Sequence, residues 1–481
     1  MRACRGLLIR VVRLAVTVLL PLVPGLPRAA QGQAREAGAK PNVLLITLDD
    51  ANTEMGVYGH PVVRTPNLER LAARGVVFRS AYCQYPLCNP SRIAMFTSLR
   101  PTTTGYYLNE RPFRDPTLMG IPILPRHLKV NGYATAGSGK VAHGSYYEPS
   151  SWTESHAYGY DPAPPALPPH PAPQDGSRVI YGGPYMNGPD GTLGRLLDTK
   201  HVDSAIEMLG RLPEPFFLAV GLQHTHVPWL YPESFLTYYD PQTDVPPRPL
   251  EEQSNAWRQG VYWRAWESYT YLDPAWAAQP DGGRSTATVN YWRTLTYDDA
   301  EIGRLLDALD RASLTDRTII IVVSDNGWSS GYHGRWFKLA LFDWCARVPM
   351  IVSVPWLAGG HGRACARPVE MIDLYPTIVD LCGLPAPEGM EGLSLRSLLD
   401  NPDAPALKPA FSVLKPYDMN WVSLMVRSDR FKFVYWPNGM HQLYDMQADP
   451  GEYRNLYANP DYQSVSEEHL AYLVSAGLLQ F

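Results

Sequence analysis

Basic charge is scarce in this chain of 481 residues: 42 Lys and Arg stand against 47 Asp and Glu, a formal charge of -5. No overall positive field exists to attract nucleic acid, so a polyanionic ligand would have to be met by a local cationic pocket. Long apolar runs are missing as well. The stretch from Leu14 to Val23 falls short of the roughly 20 apolar residues that a spanning helix needs, and Pro21 and Pro24 interrupt it, so no stable membrane insertion is expected. Arg2, Arg5, Arg10 and Arg13 precede that stretch and small residues around Ala29, Ala30 and Ala34 follow it. This is the layout of a cleaved signal over residues 1–34, and it predicts an exported protein, periplasmic or secreted. Cysteine is sparse, at six residues, with Cys4 inside the signal. Cys83, Cys345, Cys365 and Cys382 either form two disulfides, in one of three connectivities, or stay as buried free thiols. No internal repeat is visible, which excludes a repeat architecture.

What is present is an ordinary globular composition, 45% hydrophobic and 19% charged. At this length one core is not expected to suffice, because cores stop growing beyond roughly 250–300 residues. Two unequal domains are predicted, over residues 35–400 and 401–481. The apolar, β-branched runs Val43 to Leu48 and Thr318 to Ser324 read as central strands buried on both faces, and each ends in acids. Tyr133 to Ala136 and Phe216 to Val220 read as further strands, Pro66 to Arg74 as a helix, and Tyr291 to Arg311 as a long amphipathic helix. The alternation predicts an α/β fold with a mostly parallel central sheet flanked by helices. Past residue 400, Phe411 to Leu414, Val422 to Val426 and Phe431 to Tyr435 suit a smaller α+β domain with an antiparallel sheet, closed by a helix near Val465 to Leu473. A Pro-rich segment from Tyr160 to Pro189 and an aromatic-rich one from Tyr231 to Trp276 interrupt the pattern. In the latter, Trp257, Tyr262, Trp263, Trp266, Tyr269 and Tyr271 could stack on sugar rings or cover a core.

The chemistry is concentrated in a few short motifs. Asp49 and Asp50 end the first buried strand, and Asp325 and Asn326 end the later one, so both pairs reach the carboxyl edge where open α/β sheets hold ligands. These are hard oxygen donors, suited to Ca2+ or Mg2+. Cys88-Asn89-Pro90-Ser91-Arg92 follows, then Lys140 and His143 in a Lys-x-x-His arrangement, then His224-Thr225-His226, and finally the segment Gly331 to Lys338.

Together these residues resemble the type I sulfatases of the alkaline phosphatase superfamily, with the iduronate-2-sulfatase branch the most similar. The resemblance covers nearly the whole mature chain. It implies that a maturing enzyme oxidises Cys88 to formylglycine, and that Asp49, Asp50, Asp325 and Asn326 share one divalent ion, usually calcium, with that residue. The hydrated aldehyde would attack sulfur with one hydroxyl, and the other would then release sulfate, a step unavailable to a plain alcohol. Ser91 and Pro90 belong to the signal read by the maturing enzyme. Arg92, one helical turn past Cys88 if Pro90 begins a helix, would hold the hydrate. Lys140, His224, His226 and Lys338 would bind a sulfated carbohydrate, His143 would support deprotonation, and His226 and Lys338 compete for the role of general acid. His333 reads as structural. The similar branch usually carries Lys where this chain has His224. An unperturbed imidazole loses its proton near pH 6.5 whereas lysine stays charged to about pH 10, so activity is expected to fall above neutral pH more steeply than in Lys-bearing relatives. Spacing of two in an extended segment would put His224 and His226 on one side. Two alternatives remain: a formylglycine-dependent phosphodiesterase or phosphonate monoester hydrolase, and an inactive carbohydrate-binding relative in which Cys88 stays a thiol.

Overall fold

A computed structural model describes residues 39–109, 117–118, 120–144, 148–156, 178–180, 182–185, 196–247, 249–251, 270–272, 281, 283–416 and 419–479. The segment 1–34 expected to be a signal, most of the Pro-rich segment and the aromatic residues from Trp257 to Tyr269 lie outside the described residues.

The larger part is built on an eight-stranded sheet. Its strands are β1 (Asn42–Leu48), β2 (Val76–Tyr82), β3 (Ala134–Gly139), β4 (Glu154–His156), β5 (Phe216–Leu222), β6 (Thr318–Ser324), β7 (Arg347–Ser353) and β8 (Arg363–Glu370), in the order β8-β2-β7-β6-β1-β5-β3-β4. All neighbours run parallel except β7, which is antiparallel to both β6 and β2. The sheet is therefore mixed, with the parallel pairings in the majority. β1, β5 and β6 are buried along their full length, which is why they read as unbroken apolar runs. Their alternate residues serve two separate cores: Val43, Leu45, Ile319 and Ile321 face one, while Leu44, Ile46, Ile320 and Val322 face the other. The second core is covered by α1 (Pro66–Ala72), α3 (Leu197–Leu209) and α4 (Arg284–Arg311), and the first by α2 (Cys88–Thr97) and α5 (Leu374–Leu381).

The long helix begins seven residues before Tyr291, at Arg284. Its first turns, rich in Ser and Thr, carry no propensity signal, but Ala287 and Val289 are fully buried there, so packing rather than propensity decides. β3 runs on to Gly139 although its Gly and Ser residues look like loop. A Cβ at Gly139 would meet the Gly221 carbonyl oxygen at 2.2 Å, so the close crossing of β3 and β5 demands glycine there.

A second, four-stranded antiparallel sheet follows: β9 (Ala410–Leu414), β10 (Ser423–Arg427), β11 (Phe431–Tyr435) and β12 (Gln442–Asp445), with α6 (Gln463–Ser475) against it. The fourth strand lies in a segment that sequence patterning left unassigned. This sheet shares a core with Tyr82, Tyr85, Leu87 and Phe342 of the larger part, so it buttresses the loop leading into α2. Cys83, Cys88, Cys345, Cys365 and Cys382 are all buried and none is disulfide-bonded, which settles the cysteine alternatives in favour of thiols. No helix among the described residues is long and apolar enough to cross a membrane.

Candidate active site

β1 and β6 pair in register, Leu48 opposite Ser324, so the residues that follow each strand leave the sheet at one level. Asp49, Asp50 and Asp325 accordingly bring carboxylate oxygens within 4.8 Å of one another. Asp50 takes a left-handed backbone, φ 66°, which turns the chain sharply at the strand end; Asp tolerates this region better than most residues. Arg92 lies beneath the acids with no exposed surface. Its Nε donates to Asp325 Oδ2 at 2.7 Å, its Nη2 to Asp49 Oδ1 at 3.4 Å, and its Nη1 to the Lys140 and Val141 carbonyls. It thus ties the ends of β1, β3 and β6 together.

Cys88 is the first residue of α2, with Leu87 as its cap, so the helix starts two residues before Pro90. Its Sγ lies 2.8 Å from Lys338 Nζ and 3.9 Å from Asp50 Oδ1. Lys338 Nζ also donates to Asp50 Oδ1 at 2.5 Å. Lys338 sits between two non-glycine residues of positive φ, Phe337 at 137° and Leu339 at 62°. Such backbone is costly and persists only where the surroundings over-determine it; here it carries a fully buried ammonium into the acid cluster. Burial works against the Lys338 charge, but Asp50, with Asp49 and Asp325 behind it, outweighs it and holds the amine well above the usual lysine range. Burial and the neighbouring Asp49 push the Cys88 thiol well above its ordinary value, so it is uncharged.

Lys140 is held at the end of β3, where its Nζ donates to Asp49 Oδ2. Burial would raise the Asp49 carboxyl, but Lys140, His226 and Arg92 together hold it well below the usual range. His226 Nε2 lies 3.8 Å from Asp50 Oδ2, and burial lowers this imidazole to about 4. His143 is half-buried nearby; burial and the Lys140 charge lower it to about 3. His224 lines one cavity with Asp49, Lys140 and His226. The two imidazoles share that cavity for a different reason from strand alternation: residues 223–226 form a turn, closed by the His226 N–H on the Gln223 carbonyl at 2.9 Å. His333 bonds the Gly451 carbonyl at 2.9 Å and packs edge-on against Phe342, consistent with a structural role.

The donor set fits a hard divalent cation. Asp50 Oδ2 and Asn326 Oδ1 are buried and accept no hydrogen bond among the described residues, an arrangement costly for oxygens unless another donor or an ion meets them. Burial among like charges raises Asp325 to about 7 even beside Arg92, and a bound cation relieves such crowding. Three carboxylates face three buried cations, Arg92, Lys140 and Lys338. With all three carboxylates ionised the charges balance without an ion; a dication makes the cluster positive and complementary to an anionic ester.

Several supporting contacts were not readable from the sequence. Ser91 Oγ donates to the Asp325 carbonyl at 2.5 Å, so it holds the acid loop. Thr225 Oγ1 donates to the Asp49 carbonyl at 2.6 Å, and Tyr291 Oη to that of Asp50 at 2.9 Å. Asp198, on α3, accepts from His224.

The family model described as Sulfatase matches residues 41–384, and one described as N-sulphoglucosamine sulphohydrolase, C-terminal, matches residues 331–476. The chain belongs to the sulfatase family and is a sulfuric ester hydrolase. It is similar to a sulfatase of Formosa agariphila, 29% identical over 90% of this chain and 86% of that protein. It is also similar to the iduronate 2-sulfatase of Homo sapiens, 30% identical over 74% of this chain and 72% of that one. The structure resembles that of the phosphonate monoester hydrolase of Agrobacterium radiobacter, with a TM-score of 0.72 at 22% identity over 91% of this chain and 95% of the other. That likeness confirms the alkaline-phosphatase-like fold.

Proposed function

We propose that the chain hydrolyses sulfate esters of a sulfated sugar or polysaccharide, using formylglycine made from Cys88 and one divalent cation, Ca2+ or Mg2+. The observation that carries this reading is the meeting of Cys88 Sγ, Lys338 Nζ and Asp50 in one buried cluster beside two further acids. When present, the aldehyde supplies a hydrated nucleophile and the cation polarises the nonbridging oxygens of the ester.

The chain's own residues then have definite tasks. Asp49, Asp50, Asp325 and Asn326 hold the ion, and Arg92 fixes the carboxylates from below. Lys338, within hydrogen-bond reach of position 88, stabilises charge on the ester oxygens. Lys140 and His224 bind the sulfate group from the cavity side. His226 is neutral at physiological pH and its Nδ1 is committed to the Val227 carbonyl, which leaves the protonated Lys338 as the acid for the leaving oxygen. His143, also neutral, accepts a proton from the nucleophile. Export through the segment 1–34 and maturation by a formylglycine-generating enzyme complete the reading, with residues 35–400 as catalytic domain and 401–481 as its buttress.

Rates on an aryl sulfate, an aryl phosphate and a phosphonate monoester, measured on the same matured protein, test it. The sulfate is expected to be the best substrate, and turnover is expected to vanish on chelation and return with Ca2+ or Mg2+. Faster turnover of the phosphonate would move the protein to the rival activity, and binding without turnover to the inactive one.

A further inference from the structure

The cavity residue that departs from the similar branch, His224, has its own support, contributed by a helix that carries none of the motifs. Asp198 is the second residue of α3 and is fully buried. Its Oδ2 accepts three hydrogen bonds from the turn that carries the histidines: from the backbone N–H of Gln223 at 2.8 Å, from that of His224 at 2.9 Å, and from His224 Nδ1. Its Oδ1 lies 3.5 Å from His201 Nδ1, and the His201 ring packs where a Cβ on Gly139 would fall, one residue before Lys140. From the other side Tyr297 of α4 meets the His224 ring edge-on, at 5.4 Å between centroids, and its hydroxyl pairs with Thr199 of α3 at 2.7 Å. The imidazole is therefore clamped between two helices.

We propose that Asp198 is a positioning residue for His224: it takes the Nδ1 edge of the ring, so that Nε2 is the edge left to face substrate in the cavity shared with Asp49, Lys140 and His226. A lysine reaches such a cavity on a flexible stem and needs no partner. An imidazole is short and has two distinct nitrogens, so its usefulness depends on which one is committed elsewhere. Asp198 also fixes the backbone of the same turn, so one carboxylate sets both where the ring starts and which way it faces. Burial opposes the Asp198 charge, but His224 and His201 outweigh it and hold the carboxyl well below its ordinary value. The acceptor is thus ionised throughout the working range.

The three donors on one oxygen also make the substitution pattern specific. In Asp198→Asn the two backbone N–H groups require the amide oxygen, not the amide nitrogen, at that place, so Nδ1 of His224 keeps an acceptor. Asp198→Ala removes all three acceptances. Kinetics of the matured protein on an aryl sulfate should show kcat/KM reduced about tenfold to a hundredfold in Asp198→Ala, expressed mainly in KM, with most of the loss recovered in Asp198→Asn. In a His224→Ala background, Asp198→Ala should add less than about threefold, since its effect passes through the missing ring. Equal losses in the two backgrounds, or an Asn variant as poor as the Ala variant, would overturn the proposal. The kinetic arm rests on the sulfatase reading; a second measurement does not. In protein carrying isotope-labelled histidine, the imidazole N–H resonance assigned by its loss in His224→Gln should be present in the parent and in Asp198→Asn and absent in Asp198→Ala. A resonance that persists in Asp198→Ala would overturn the positioning role whether or not the protein cleaves sulfate esters.

Discussion

Lys338 shows how much of this site is decided one side chain at a time. Its ammonium is buried, touches position 88 and Asp50, and is aimed by two flanking residues of positive φ. Removing a preorganised cation of this kind costs about 100- to 1,000-fold in kcat, and that loss is expected for Lys338→Ala on an aryl sulfate. Lys338→Arg should not recover it, because a planar guanidinium cannot take the place of a compact ammonium held between a sulfur position and a carboxylate. Cys88, Asp49, Asp50, Asp325 and Asn326 were readable because each sits in a contiguous motif at the end of a buried strand or the start of a helix. Asp198 was not. An acid in the first turn of a helix ordinarily reads as a partner for the helix dipole, and its contact with His224 spans 26 residues of chain.

Elements matter where they cross or dock. Gly139 and Gly221 let β3 and β5 approach closely enough for the Lys140 N–H to reach the Gly221 carbonyl at 3.0 Å. Gly139→Ala adds a Cβ both at positive φ and against that carbonyl, and should cost about 2 kcal/mol or more in a denaturant titration, with turnover lost as Lys140 shifts. On α6, His469 bonds the Val465 carbonyl at 2.7 Å and Ser428 Oγ at 3.0 Å, and burial lowers its pKa below the ordinary value. The unfolded chain therefore binds this proton first, near pH 6.5. Stability contributed by the neutral ring is complete above that pH and is lost as the pH falls toward the folded value. The stability advantage of the parent over His469→Gln should shrink between pH 7.5 and 5.5; an advantage that grows would contradict the assignment. The strands were legible where both faces are buried, since apolar residues fill them almost end to end. The N-terminal turns of α4 and the glycine-bearing end of β3 were not, because tertiary packing overrides local preference at both.

For the whole molecule, the consequence lies in the charge balance of the cluster. Arg92, Lys140 and Lys338 already neutralise three carboxylates, so the fold does not need the ion to hold its core together. Chelation should abolish turnover while lowering Tm by only about 5 °C or less, as followed by calorimetry beside the rate assay. Unfolding on chelation would mean that the ion is structural. The most direct test of the account is the mass of the tryptic peptide Ser80 to Arg92 from protein matured in the presence of a formylglycine-generating enzyme, set against turnover of the same sample. The peptide also contains Cys83, an internal control. The account predicts that CH2–SH is replaced by CHO at position 88 alone and that the rate rises in proportion to that fraction. Full turnover from protein in which Cys88 remains a thiol would contradict it.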